Sequence, residues 1–262
     1  MTNGKSNKRQ RQKEQRRARI EEEIRQYKAR RRKRMTINLT ILSVVVAGIA
    51  FLVFDPLKGS DSDSKDDSKS TASGCKTNAP PKGNTETTSE PPAMTIDKAK
   101  TYVAVMETSC GTIEIELADD TSPNTVNSFV FLARQGFYDG LVFHRIVKDF
   151  AVQGGDPKGD GTGGPNYKTV DAPPAGFKYE EGVVAMAKGG QEPPGTAGSQ
   201  FFLVPGPGAA TLPADYGVLG KVIKGDDALA KLNEIETTDG GGGEKSKPVN
   251  PVYIIKITIR ES

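Results

Sequence analysis

Residues 143–156, FHRIVKDFAVQGGD, are the most informative stretch of this 262-residue chain. They hold its single histidine, His144, next to Arg145 inside an apolar run. Alternation in LVFHRIV (141–147) and the apolar start of FAVQG (150–154) predict two short strands, because successive side chains of a strand point to opposite faces. A guanidinium is seldom buried without a partner, so Arg145 pairs with an acid, lies along the sheet surface or faces a cleft.

Two glycine-containing segments follow downstream, GTGG at 161–164 and GSQFF at 198–202. Together with residues 143–156 they resemble the cyclophilin family of peptidyl-prolyl isomerases in letters and in order, and the resemblance runs from about Tyr102 to Ile259. It implies a mainly β fold, a closed eight-stranded antiparallel barrel capped by two helices. The active site is then expected in a groove on the outer surface of the barrel.

Hydrophobic periodicity predicts the elements around these motifs. A hairpin starts the domain, and a helix follows with Ser122 as N-cap, Pro123 at its first position and its end at Gly136. A shorter helix spans Asp226 to Glu234. The strands of the hairpin are Tyr102–Glu107 and Gly111–Leu117. Further strands are expected at Tyr253–Ile259 and near 182–187, 200–204 and 217–222. Periodicity by itself suits several all-β barrels or an α+β fold.

Composition divides the chain into four parts. Residues 1–35 hold 15 Lys and Arg against 4 Glu and form a basic segment that permits a helix. Residues 36–54 carry no charge and have about the length of one transmembrane helix. Residues 55–98 are rich in Ser, Asp, Lys, Thr and Pro, so we expect a disordered linker. Residues 99–262 remain as one domain that is large enough for its own core.

The apolar segment 36–54 could be an uncleaved signal anchor or a cleaved signal peptide. Gly48 and Ala50 are small residues at which a peptidase could cut. The long basic region before the segment and its continuation to Phe54 favour the anchor. Since Lys and Arg precede it and acids follow it, we expect a single-pass protein of the cell membrane with a cytoplasmic N-terminus and an extracytoplasmic catalytic domain.

Two other features leave alternatives open. The basic segment could bind nucleic acid or anionic lipid through its phosphates, but a cytoplasmic anchor flank is basic in any case, so we expect no specific nucleic-acid partner. Cys75 and Cys110 could pair in an oxidising compartment. We expect them unpaired, because a cysteine in a flexible linker offers no fixed geometry.

The resemblance also implies the site and its chemistry. Arg145 is the expected catalytic donor, whose hydrogen bond to the prolyl nitrogen localises the amide lone pair. Gln153 is expected to orient it, and Phe150 to line the proline slot. This chemistry requires no metal and no cofactor. The substrate-binding positions are His144, Ala151, Ala187, Lys188, Gln200, Phe202, Leu212 and Tyr216.

Three of these positions depart from the family pattern. Ala151 stands where many members have methionine, which widens one wall of the slot. Lys188 stands where asparagine is common, and Tyr216 replaces a histidine found in many eukaryotic members. The chain also contains no tryptophan.

The sequence thus predicts a membrane-tethered isomerase with a monomeric catalytic domain that acts on proline-containing polypeptides and assists the folding of extracytoplasmic proteins. One alternative is a catalytically weak module of the same fold that only binds proline-containing partners, which Ala151 and the lack of tryptophan keep open. Another is an anchoring protein whose basic cytoplasmic segment does the work.

Overall fold

The computed structural model describes residues 74–262, which contain the β-rich C-terminal domain. The segments predicted as a basic region (1–35), a transmembrane helix (36–54) and the first part of a linker (55–73) lie outside the described residues. The predictions for them therefore stay predictions. From residue 74 onwards, no helix combines the length and the hydropathy that crossing a bilayer requires.

Short antiparallel strands and two α-helices build the described part of the chain. The strands are β1 Tyr102–Thr108, β2 Gly111–Leu117, β3 Arg145–Val147, β4 Ala151–Gly154, β5 Thr169–Val170, β6 Val183–Met186, β7 Thr196–Ala197, β8 Phe201–Leu203, β9 Val218–Lys224, β10 Thr237–Asp239, β11 Lys245–Pro248 and β12 Ile254–Glu261. The helices are α1 Pro123–Arg134 and α2 Asp226–Asn233, with a 3-10 helix at Pro207–Thr211. The predicted elements are confirmed within two residues, except at 141–147, where only the last three residues are strand.

Eight strands form one sheet in the order β12-β1-β2-β9-β6-β8-β4-β3. The two edge strands, β12 and β3, share no ladder, so the sheet is a half-barrel and the predicted closed barrel is wrong. The chain around the start of β12 and the residues just before β3 bridge the seam. There Phe143 N–H donates to Val252 O (3.0 Å) and Ile254 N–H donates to Leu141 O (2.8 Å). With β3 only three residues long, no longer ladder can form at this edge.

Alternation in the first hairpin places its apolar side chains inside. Ile113, Ile115 and Leu117 of β2 are buried, and the glutamates between them are more exposed. These side chains belong to the main core together with the apolar stripe of α1, which includes Val126 and Phe129. Because residues three and four apart share one face of a helix, that stripe covers the sheet. The polar residues Thr125, Asn127 and Ser128 of α1 are buried as well.

The N-terminus of α1 is capped from a distance. Ser122 precedes the helix as predicted, but its hydroxyl makes no capping hydrogen bond. Instead Asp171 accepts hydrogen bonds from Thr125 N–H (2.7 Å) and from Asn124 Nδ2 (2.9 Å). A carboxylate is favourable there because the first N–H groups of a helix are unpaired and carry partial positive charge. The side-chain cap predicted for Ser122 is wrong for this reason.

A second, smaller core cluster lies under β4, β6 and β8. Its buried members are Ala151, Tyr179, Val183, Ala185, Phe202, Val204 and Ala209. Phe150, Leu212 and Tyr216 pack against it while remaining partly exposed. This cluster therefore supplies an apolar surface that solvent can reach, next to the edge of the sheet that carries Arg145.

Residues 74–98 have no regular secondary structure, but they are held on the domain. Asn127 Oδ1, on α1, accepts hydrogen bonds from Thr95 N–H (2.8 Å) and Ile96 N–H (3.3 Å). Gly83 N–H donates to Asp139 O at 2.9 Å. A free disordered linker was expected here, and for these residues the structure differs because a few specific contacts replace the missing apolar core.

The same segment is also attached covalently. Cys75 and Cys110 form a disulfide, and both side chains are buried. The prediction that they stay unpaired is wrong. It assumed a flexible partner, whereas the backbone beside Cys75 is fixed by Lys76 N–H, which donates to Ser109 O at 2.9 Å.

We predict that Cys110→Ser destabilises the domain. The disulfide joins residues 35 apart, and closing a loop of that size restricts the unfolded chain by about 3–4 kcal/mol. Denaturant unfolding of the whole chain should show this loss in free energy of unfolding. Cys75→Ser, the double variant and reduced wild type should all match it, whereas an unchanged midpoint in Cys110→Ser would contradict the prediction.

Candidate active site

Arg145 opens β3, on the outer face of the sheet. Its neighbour Ile146 is 1% exposed, and alternation along the strand turns Arg145 the other way. In the ladder between β3 and β4, Arg145 lies opposite Gln153. The arginine side chain is 31% exposed, so it remains accessible from solvent.

The guanidinium is held by a carboxylate from far along the chain. Nε of Arg145 donates to Oε2 of Glu244 (2.9 Å), and Nη2 donates to Oε1 (2.8 Å). Such a two-pronged pair fixes orientation as well as distance. The hydrogen bonds from Arg145 lower the pKa of the Glu244 carboxyl, so it is ionised at neutral pH. An acidic partner was one of three possibilities that the sequence left open for Arg145, and nothing in the sequence selected Glu244.

Beside Arg145 lies the apolar slot predicted from the sequence. Phe150 is nearest, with its ring centroid 5.9 Å from Cζ of Arg145. Phe202 and Tyr216 meet edge to face at 5.5 Å between centroids. Ala151 and Leu212 belong to the same cluster. The structure thus brings the predicted slot residues together around one surface.

Tyr179, which sequence reasoning missed, supports the slot from below. It is fully buried, and its hydroxyl donates to Tyr216 O (2.7 Å) while accepting from Tyr216 N–H (2.8 Å). Its ring also packs against those of Tyr216 and Phe202. These contacts fix the backbone of Tyr216, so the wall that it forms is rigid.

A pair of glutamines separates the slot from a neighbouring cavity. Gln153 Nε2 donates to Gln200 Oε1 (3.1 Å), and Gln200 Nε2 donates to the carbonyls of Gly161 (3.0 Å) and Gly163 (2.8 Å). The GTGG loop is thereby tied to β4 and β8. Gln153 was expected to orient Arg145, yet its amide is bonded to Gln200. The orienting contact of Arg145 is with Glu244 instead.

The cavity has a volume of about 280 Å³ and is lined by both glutamines, the glycine loop and two lysines. One of them is Lys188, whose side chain is only 4% exposed and pairs with Asp215 at 2.7 Å. Its Nζ also donates to Glu192 O (2.9 Å) and lies 5.7 Å from the Tyr216 ring centroid. Lys188 therefore links the cavity wall to the wall of the slot.

Two of the other predicted positions are more constrained than expected. Ala187 N–H donates to Gln200 O (2.9 Å), so this donor is already used within the domain. His144 has a buried Nδ1 without a hydrogen-bond partner, and burial lowers its pKa. The imidazole is therefore neutral at neutral pH. It lies near the GTGG loop, where a Cβ on Gly161 would stand 3.9 Å from Nε2.

Comparison with known proteins relates this geometry to one family. Residues 103–259 match the family model described as cyclophilin type peptidyl-prolyl cis-trans isomerase. Among curated proteins, the chain is 36% identical over 161 residues to peptidyl-prolyl cis-trans isomerase-like 1 of Gibberella zeae, covering 60% of this chain and 94% of that protein. It is 38% identical over 179 residues to the probable peptidyl-prolyl cis-trans isomerase B of Mycobacterium tuberculosis, covering 62% and 56%.

Other relatives are longer, and solved structures share the fold. The chain spans only 28% of peptidyl-prolyl cis-trans isomerase-like 2 of Cryptococcus neoformans, to which it is 37% identical over 168 residues. A cyclophilin type isomerase of Cryptosporidium parvum is 30% identical, with a TM-score of 0.55, and covers 61% of this chain and 98% of its own. The same protein was also solved in the presence of the dipeptide Ala-Pro, with a TM-score of 0.54.

The buried pair of Lys188 and Asp215 generates an asymmetric prediction. Asp215→Ala leaves an ammonium that is 4% exposed without its carboxylate, although the Glu192 carbonyl still accepts from it, whereas Lys188→Met leaves a carboxylate that is 30% exposed and can be hydrated. An unpaired buried charged group costs about 1–3 kcal/mol or more, so Asp215→Ala should lose more stability than Lys188→Met. Thermal and denaturant unfolding of both variants measure this. Equal losses, or a larger loss in Lys188→Met, would contradict it.

Proposed function

The chain belongs to the cyclophilin-type peptidyl-prolyl cis-trans isomerases, and from that premise we propose that Arg145 catalyses rotation about X-Pro bonds held in the slot beside it. The observation that carries the proposal is the position of the guanidinium, 5.9 Å from the ring of Phe150 at the rim of that slot. A charged donor at the edge of an apolar pocket can donate a hydrogen bond to the nitrogen of a proline whose ring is bound inside the pocket.

The chemistry follows from the amide bond. Partial double-bond character raises a rotation barrier of about 18–20 kcal/mol. When the bond twists, the nitrogen lone pair leaves conjugation and becomes a better hydrogen-bond acceptor. A donor aimed at that nitrogen therefore stabilises the twisted state more than the planar one. Arginine suits this role because its charge is permanent and its N–H groups form a rigid fork.

The surrounding residues hold the peptide. Phe150, Phe202, Leu212 and Tyr216 would contact the proline ring, and Ala151 leaves one wall open where a longer side chain would narrow the slot. The cavity beside Gln153 and Gln200 would accept residues that precede the proline in the peptide. His144 would act indirectly, through the glycine loop over this cavity.

We predict that Arg145→Ala loses about 10²-fold or more in turnover, as expected for removal of one preorganised donor. Arg145→Lys should also be poor, because a point charge on a flexible stem lacks the fork. A protease-coupled isomerase assay measures both, with exposed Arg260, on the β12 edge, changed to alanine as control. Near-wild-type turnover in a folded Arg145→Ala variant would remove the mechanism.

The same assay separates catalysis from binding alone. If the domain were only a binding module, the wild type would bind proline-containing peptides yet isomerise them no faster than Arg145→Ala does. Peptide titration measures the affinity, and the kinetic assay measures the turnover. If Arg145 catalyses the reaction, Arg145→Ala lowers turnover more than it lowers peptide affinity.

For the location of the protein, we propose that the domain lies outside the cytoplasm and that residues 36–54 tether it to the membrane. The excess of Lys and Arg before that segment supports the orientation. The disulfide between Cys75 and Cys110 adds independent support, because disulfides persist mainly in oxidising compartments. Substrates there would be newly exported polypeptides that contain proline.

The catalytic domain would act there as a monomer. In the described part of the chain, the exposed large apolar side chains come from five separate places in the sequence: Met94, Val170, Ile223, Val249 and Ile255. Exposed apolar side chains are common on monomers, and it is a large contiguous patch of them that marks an interaction site.

Protease added to spheroplasts that express the chain should release the C-terminal domain from the membrane fraction. The physical reason is that the basic flank keeps residues 1–35 inside and leaves the domain accessible. Immunoblotting of membrane and soluble fractions follows the release. A domain already soluble before protease would indicate a cleaved signal peptide, and full protection in accessible cells would refute the orientation.

A further inference from the structure

The side chain of Arg145 has one strong partner in the described residues. Both hydrogen bonds that it donates end on the carboxylate of Glu244. The ring of Phe150 lies against the guanidinium on another side. No ladder of the sheet continues beyond β3, and the strand that packs beside it is β11, which Glu244 immediately precedes. Its orientation therefore depends on Glu244.

Glu244 is itself delivered by a specific turn. It follows the glycine run 240–243 between β10 and β11, and Gly240 N–H donates to Glu244 O at 2.8 Å. Gly241, Gly242 and Gly243 all have positive φ, at 114°, 67° and 84°. L residues rarely adopt this conformation, so the turn that aims Glu244 at β3 suits glycine.

The carboxylate is also held from behind. The buried hydroxyl of Ser246, on β11, is a second hydrogen-bond partner of Glu244 after Arg145, and both lower the pKa of its carboxyl. β11 packs beside β3, which brings this arrangement to the arginine. Ser246 and the glycine turn thus constrain the position of Glu244 in addition to its contact with Arg145.

The pairing leaves the guanidinium able to act. Arginine has five N–H donors, and Glu244 occupies Nε and one N–H of Nη2. Nη1 and the second N–H of Nη2 are not used by this pair and can reach a prolyl nitrogen. A side chain that is already held has lost its rotamer freedom before the peptide binds.

We propose that Glu244 is a positioning residue for the isomerase reaction, which holds the Arg145 guanidinium at the rim of the proline slot in its donating orientation. This inference rests on the proposed catalytic role of Arg145. Glu244 does not touch substrate itself. Glu244 is expected to stabilise the transition state, because it holds the Arg145 donor at the place where the nitrogen lone pair develops.

The first test is Glu244→Gln, which keeps the size and removes the charge. We expect turnover of the whole chain to fall about two- to fivefold, as for loss of one partly exposed ion pair, with KM changed less than turnover. Glu234→Gln is the matched control, since Glu234 forms an exposed ion pair with Lys148 at 2.8 Å. That control should leave turnover unchanged. Unchanged or increased turnover in Glu244→Gln overturns the proposal.

The second test asks whether Glu244 acts through Arg145. Glu244→Gln should cause no additional loss in an Arg145→Ala background, because the group that it positions is gone. The same fold loss in both backgrounds would overturn positioning and assign Glu244 another role. Full activity in Arg145→Ala is a separate result. It would refute the catalytic role of Arg145, and the positioning role would fall with it.

A spectroscopic readout covers folding and geometry together. In the nitrogen-proton spectrum, the Arg145 Nε–H signal should be sharp in wild type and broadened or lost in Glu244→Gln, while the backbone signals stay in place. An unchanged Arg145 signal in Glu244→Gln would show that another group holds the guanidinium, and would overturn the proposal.

Discussion

The burial of Ile146 in the short edge strand β3 is the constraint on which the site depends. Neighbouring side chains of a strand point to opposite faces, so fixing Ile146 in the core turns Arg145 outward. On the next strand Val152 is buried in the same way, which places Gln153 opposite Arg145 on the outer face. One buried residue on each strand thus determines that Arg145 and Gln153 lie on the outer face.

The outer face then acquires two adjoining regions with different chemistry. The slot is aromatic and rests on the small core cluster, whereas the neighbouring cavity is lined by glutamines, glycine backbone and lysines. Lys188 joins them, because its ammonium pairs with Asp215 and lies close to the ring of Tyr216. A change on either side of this buried pair therefore reaches both the apolar wall and the polar cavity.

Two long-range contacts complete the domain. Glu244 pairs with Arg145 from a glycine turn. A disulfide and several backbone hydrogen bonds hold residues 74–98 on the domain. The attachment involves the β1–β2 turn and α1, and it extends to Asp139 and to Asn166, whose N–H donates to Thr87 Oγ1 at 3.1 Å.

The amino-acid sequence by itself predicted both α-helices and the longer strands, whereas the short strands β5, β7, β10 and β11 were not predicted. The residues of the slot were predicted from the resemblance to the family. Alternation, helical periodicity and the three motifs are properties of neighbouring residues, so they can be seen without the fold. Polar composition misled at residues 74–98, because a few hydrogen bonds and one disulfide hold a segment that has little to bury.

The tertiary structure decided the open sheet, the Asp171 cap, the support from Tyr179 and the partner of Arg145. Arg145 and Glu244 are 99 positions apart, and any of many acids would have suited the sequence equally well. Such contacts depend on how distant segments meet in space. Long-range geometry leaves no periodic trace in the order of residues, which is why only the fold could reveal it.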